Sequence, residues 1–251
     1  MCKYNQTIQK QVVFLHQRRI STIFGRNCYI MKTLINALVK LITGAAIMAL
    51  LLFVPAGTLA YGGAWRLIAL LLIPMLLLGT ILFVRAPETL RRRLNSKEKR
   101  KKQGSIVKIS GALFILAFIV AGLDFRFGWS NAGKGTVYTA GVLFIISYAL
   151  YAEVTRENKW LSRTVEISAG QKVVSNGLYG IVRHPMYTAT IVMFLSMPLV
   201  LGSWWAFIVM ITYIPIIAAR IKDEEQLLKA ELEGYTAYCR KVRWRLVPYL
   251  W

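Results

Sequence analysis

Long stretches without a single charged side chain constrain this sequence more than anything else in it. Lys40 is the one charge between 33 and 65, and there is none across 67–84, 109–123, 135–152 and 186–219. At about 1.5 Å of rise per residue, most of these runs match the roughly 17 to 25 residues that a bilayer-spanning helix requires. Charged residues make up 17% of the 251-residue chain, against about a quarter in soluble domains. The pattern predicts a polytopic, all-α integral membrane protein.

The formal net charge of +21 raises the question of nucleic acid, but the distribution answers it. The basic residues gather between the apolar runs. The loop 85–108 holds Arg91, Arg92, Arg93, Lys97, Lys99, Arg100, Lys101 and Lys102, whereas only Arg66, Arg126 and Lys134 fall in the connections on the other side. An excess of Lys and Arg marks the cytoplasmic side and attracts anionic headgroups. That arrangement argues for topology and against a nucleic-acid role. Cys2, Cys28 and Cys239 follow no metal-ligand or redox spacing, and no metal site is expected.

Residues 1–30 are polar and mixed, and Met31-Lys32-Thr33-Leu34 would suit the start of a protein whose first span follows at once. They are expected to be a flexible extension or to follow an upstream start codon that is not used. A four-span region, 31–152, comes next, with spans near 34–54, 65–84, 109–123 and 135–151 and the basic cytoplasmic loop 85–108. Pro55-Ala56-Gly57 ends the first span, Pro74 is expected to bend the second, and Arg91 to Leu94 suit an amphipathic turn. Tyr61, Trp65, Phe127 and Trp129 fit outer interfacial positions.

The region 153–251 differs in character. A mixed-charge segment broken by Gly170, Gly177 and Gly180 leads into the uncharged run 186–219. As one helix that run would reach about 51 Å, against a hydrocarbon core of roughly 30 Å. A hairpin turning near Gly202-Ser203 is therefore predicted, with Arg183 and Arg220 on the same cytoplasmic side. Both termini are expected inside. The tail carries a helix from about Arg220 that Gly234 ends, and then aromatic residues interleaved with Arg240, Lys241, Arg243 and Arg245 that suit packing on the bilayer or back on the polar segment.

Three groups of residues carry a resemblance. They are Gly177-Leu178-Tyr179 with Arg183-His184-Pro185-Met186-Tyr187, then Glu224-Glu225 beyond the apolar hairpin, then Tyr235, Tyr238 and Arg243-Trp244-Arg245-Leu246-Val247-Pro248. In this order they resemble the isoprenylcysteine carboxyl methyltransferase family, and more closely its bacterial members, which are similar to phospholipid methyltransferases. The likeness covers the stretch from Arg156-Glu157-Asn158 onward; the first four spans match only in general character. Gln171 stands where eukaryotic relatives carry a His, and Ala189 replaces a Gly often found after the motif Tyr.

The resemblance implies an integral-membrane enzyme, in a bacterial inner membrane with its site facing the cytoplasm, that transfers a methyl group from S-adenosylmethionine to a lipophilic acceptor. The cofactor has a carboxylate, cationic groups and a flat base. Arg183 and His184 suit the carboxylate; Glu224, with Glu225 beside it, suits the cationic end; Tyr179 or Tyr187 can cover a planar or cationic group. Pro185 belongs to the same motif. Gln171, Lys172, Val173 and Val174 match the family's cofactor loop. Arg220 would position a carboxylate acceptor, and Glu224 or Glu225 would take the proton of an amine. Prenylated protein, phospholipid amine and a small hydrophobic acid remain open as acceptors.

Each candidate also has a plainer interpretation. Arg183 could anchor a helix end, His184 could hydrogen-bond within a turn, and Tyr187 could be a belt aromatic. Arg220–Glu224 and Glu225–Lys229 are spaced i and i+4, as helix-surface pairs are. Two rival functions stand beside methyl transfer: a membrane reductase using NADPH, because some sterol reductases share the C-terminal arrangement, and a transporter or sensor.

Overall fold

The computed structural model describes residues 31–94, 100–162 and 164–251, so the expectation for 1–30, and Lys97 and Lys99 of the basic loop, lie outside the described residues. The chain divides into two compact units, 1–44 and 45–251. Of the first, 31–44 is helical; the packing and the site described below belong to the second.

All regular structure among the described residues is helical. The first helix, α1 (Met31–Ala56), is followed by α2 (Gly62–Arg85), α3 (Pro87–Leu94), α4 (Lys101–Phe127), α5 (Lys134–Glu157), a 3₁₀ turn (Gly177–Gly180), α6 (Pro185–Leu201), α7 (Trp204–Ile211), α8 (Tyr213–Glu231) and α9 (Tyr235–Lys241). Among the described residues, five helices are long and apolar enough to cross a membrane: α1, α2, α4, α5 and the nearly continuous run of α7 and α8, Trp204–Glu231. Their outward faces keep large apolar side chains exposed, among them Leu77, Ile115, Val142 and Ile208. A surface like this is stable against lipid, and helices satisfy every internal backbone group there. The chain is a multi-pass membrane protein.

The expected hairpin is present. Gly202 turns the chain with φ +88 at the end of α6, a left-handed conformation that glycine adopts without a Cβ penalty. Ser203 then caps α7 by accepting from the Ala206 N–H. At 17 residues α6 is shorter than the helices of membrane length, as its early turn requires. α2 continues through Pro74 without interruption.

Two expectations change. Helix α4 starts at Lys101, inside what the sequence suggested was loop, because its polar first turn packs on α8: Gln103 is fully buried and donates to Asp223 Oδ2 at 2.6 Å, while Arg100 and Lys102 each lie 3.2 Å from the same carboxylate. Tyr61, expected at an interface, is 1% exposed. Its hydroxyl donates to the Leu201 carbonyl at 2.9 Å and its ring stacks on Phe125 with centroids 4.2 Å apart, so it pins α2 to the end of α6. Trp65, Phe127 and Trp129 do stay exposed, as interfacial aromatics would.

The core follows from α6. This helix packs along α5 and against α2 and α7, with Ala189 fully buried, so a small residue does serve close approach there. One end of α6 meets the Tyr61 region; the other carries Pro185 at its first turn, where the missing N–H costs nothing. At that end the polar residues of the chain assemble.

Candidate functional site

The 3₁₀ turn and the first turn of α6 are held in place by the chain's last residues. Arg183 N–H donates to the Trp244 carbonyl and His184 N–H to the Arg245 carbonyl, both at 2.9 Å, and Thr188 Oγ1 donates to the Leu246 carbonyl at 2.7 Å. The tail thus packs back on the polar segment, one of the two placements its aromatic and basic pattern suggested. Gly177, at φ +56, lets the chain pass over Glu157: a Cβ there would sit 1.7 Å from Glu157 Oε1. The Glu157 carboxylate accepts instead from the Leu178 N–H, at 3.0 and 3.2 Å.

Beneath this turn lies a cleft of about 110 Å³, partly open to solvent, narrower than the roughly 300 to 1,000 Å³ of typical drug-sized ligand sites. It brings together Gln171, Lys172, Val173, Val174, Tyr179, Arg183, His184, Tyr187, Arg220 and Glu224. Helix geometry explains the α8 contribution. Arg220, Glu224, Leu227 and Leu228 recur at the spacing that stacks residues on one helix face, and all four line the cleft. Glu225 is one residue on, about 100° around the helix, and Glu225 and Pro185 are not among the lining residues.

Glu225 has a different environment. It is 3% exposed and gathers three partners: Arg183 Nε at 3.0 Å from Oε1, His184 Nε2 at 3.3 Å from Oε1, and Arg245 Nε at 3.1 Å from Oε2. The Arg183 contact is an ion pair without hydrogen-bond alignment, since that Nε makes no hydrogen bond. The Glu225–Lys229 surface pair therefore does not describe this residue. Lys229 is exposed, whereas Glu225 ties the motif segment, α8 and the tail together from behind the cleft.

Glu224 and Arg220 meet through Tyr187. The Tyr187 hydroxyl donates to Glu224 Oε2 at 2.6 Å and accepts from Arg220 Nε at 2.9 Å. Tyr187 is 5% exposed and Arg220 8%, which rules out a belt aromatic and an exposed helix-surface cation. A guanidinium, a phenol and a carboxylate so arranged can hold an anionic acceptor or take a proton.

Several further residues line the cleft. Asn158 donates from Nδ2 to the Tyr179 hydroxyl at 3.0 Å and accepts the Trp160 N–H at 2.9 Å, closing the loop after α5; Asn beyond a helix end was the available signal. Trp160, Thr164, Glu166 and Leu232 also line the cleft, and nothing local in the sequence distinguishes them. The Gln171 side chain closes its own turn, its Oε1 accepting the Ser168 N–H at 2.9 Å. Burial pushes the Tyr179 phenol up to about 12, with the Asn158 hydrogen bond acting against it. No cluster that could hold a metal occurs among the described residues.

The phospholipid methyltransferase family model matches residues 135–232, a span that takes in α5, the loop after it, the turn at Gly177–Gly180, the hairpin and the Arg220–Glu225 segment. Among curated proteins, the Delta(14)-sterol reductase of Mus musculus is 28% identical over 91 residues, 35% of this chain and 22% of the reductase. The chain spans about a fifth of the length of that relative.

Proposed function

We propose that this protein transfers a methyl group from S-adenosylmethionine to a lipophilic acceptor at the cytoplasmic face of the membrane, with both termini on that side. The observation that carries the reading is the convergence of Arg183, His184, Tyr187, Arg220 and Glu224 with the 171–174 loop in one cleft, inside a stretch similar to the phospholipid methyltransferases. The isoprenylcysteine carboxyl methyltransferase likeness of the Arg183–Tyr187 and Glu224-Glu225 motifs supports the same chemistry.

The donor set suits the cofactor. Arg183 and His184 offer a cation and a ring N–H to its carboxylate, Glu224 offers a carboxylate to its cationic groups, and Val173, Leu228 and Leu232 form an apolar wall for a flat base. Bound there, the cofactor supplies an activated methyl group, and the protein's task is alignment and exclusion of water. Glu225 keeps Arg183 and His184 fixed from behind. Arg220, oriented by Tyr187, holds a carboxylate acceptor; for an amine acceptor, Glu224 takes the proton that the amine releases. The acceptor's lipid part would approach from the apolar helices around α6.

Calorimetric titration of the purified protein with S-adenosylmethionine and S-adenosylhomocysteine tests this. Wild type is expected to bind both, with Arg183→Ala and Glu224→Ala each weaker. Absence of binding by wild type would refute methyl transfer, and undiminished binding by both variants would refute the site. The likeness to a sterol reductase favours one second reading, a membrane reductase using NADPH; NADPH binding in the same titration, in place of the methyl donor, would select it.

A further inference from the structure

Four tyrosines line the cleft, and three of their hydroxyls are committed within the protein. Tyr179 is bonded to Asn158, Tyr187 to Glu224 and Arg220, and Tyr238 donates to the Tyr179 carbonyl at 2.7 Å. The fourth is not. Tyr235 is 4% exposed, and its buried hydroxyl makes no hydrogen bond among the described residues. Buried phenols almost always find a partner, because stripping water from a hydroxyl without replacing its hydrogen bond lowers stability. An unpaired hydroxyl on a residue that lines the cleft is what remains when the partner is the ligand.

The surroundings indicate which part of a ligand it meets. Tyr235 packs with Leu232, Tyr238 and Val242 and against Val173 and Leu228, so its ring is part of an apolar wall, suited to a flat heterocycle rather than an ammonium or a carboxylate. Burial and the nearby Glu225 push its phenol well above the ordinary value; it stays neutral and can donate.

Accepting the methyltransferase reading on which this rests, we infer that Tyr235 is a cofactor-binding residue whose hydroxyl donates a hydrogen bond to the nucleoside end of S-adenosylmethionine.

Tyr235→Phe removes only the hydroxyl. Two readouts should move in opposite directions. Without ligand, thermal unfolding in detergent should occur at an equal or higher temperature than in wild type, because an unpaired buried hydroxyl has been deleted. Titrated with S-adenosylhomocysteine, the variant should bind roughly tenfold more weakly, and adenosine should displace S-adenosylhomocysteine from it less effectively by a similar factor. A lower unfolding temperature of the ligand-free variant would mean that the hydroxyl has a protein partner, and would overturn the inference. Unchanged affinity for S-adenosylhomocysteine in a wild type that binds it would also overturn it, while leaving the methyltransferase reading standing. A loss seen with S-adenosylhomocysteine but not with adenosine would overturn the assignment to the nucleoside end. Wild type that binds no S-adenosylhomocysteine would refute the underlying reading and this inference together.

Discussion

Glu225→Gln keeps the side chain's size and removes its charge from a site where Arg183 and Arg245 converge. The two contacts are unequal. The Arg183 side chain is 7% exposed and that of Glu225 3%, so leaving Arg183 without its counter-ion places it in the range of broken buried pairs, about 3 to 5 kcal/mol. The Arg245 side chain is 30% exposed, and water offsets most of its loss, leaving at most about 1 kcal/mol. The Gln oxygen can still accept from one neighbour, which keeps the total near the lower bound, about 3 kcal/mol. For a chain of this size that corresponds to a fall of about 6 to 12 °C in Tm, measurable by thermal unfolding in detergent and followed through the reactivity of Cys239, which is partly buried against the cluster of Leu232, Tyr235, Tyr238 and Val242. Lys229→Ala is the control, since an exposed residue of this kind is expected to change stability by no more than about 0.5 kcal/mol. Equal Tm values for Glu225→Gln and wild type would refute the argument and return Glu225 to the role of a surface partner of Lys229.

Gly177→Ala would place a Cβ against the Glu157 carboxylate at a left-handed backbone position; cofactor affinity measured by titration should fall at least about tenfold, and Glu157→Ala in the same chain should restore part of it by removing the obstacle. At the other end of α6, the buried Asp124 carboxylate accepts from the Ser130 N–H and hydroxyl, each at 2.6 Å, and from the Ser203 hydroxyl. Asp124→Ala should cost about 2 to 4 kcal/mol, read as a lower Tm, and leave cofactor affinity unchanged because the 17 residues of α6 place it about 25 Å from the cleft. Alkaline titration should show Tyr179 still protonated where free phenols ionise. Its folded pKa of about 12 is raised, so its stabilisation is complete below about pH 10 and is lost as pH rises through 12; Tyr179→Phe should remove that part of the alkaline unfolding profile.

How far the site could be foreseen depends on the kind of neighbour involved. Arg183, His184 and Tyr187 were legible because they stand together at the boundary between a polar segment and an uncharged run. Glu224 and Glu225 were legible only as a pair. Adjacent helix residues diverge by about 100°, which shows that the two cannot share one surface but not which of them faces the cleft. That choice was made by the tail, whose Trp244 and Arg245 carbonyls dock on Arg183 and His184 and bring the Arg245 guanidinium to Glu225. Tyr61 and the Asp124–Ser203 contact were misjudged or passed over for the same reason: the partners that tie them to the end of α6 are 140 and 79 residues away.

What this sequence determined unaided is whatever depends on local spacing and solvent preference. The uncharged runs dictate helices of membrane length, Gly202 dictates where the hairpin turns, and the basic residues dictate where the polar ends collect. Tertiary structure alone decided which polar groups pair behind the cleft and which line it. Hydrogen bonds and buried ion pairs act over about 3 Å, so their partners are chosen by how the helices pack. Glu225 became an internal counter-ion in this way, while Glu224, Arg220 and the unpaired hydroxyl of Tyr235 were left lining the cleft.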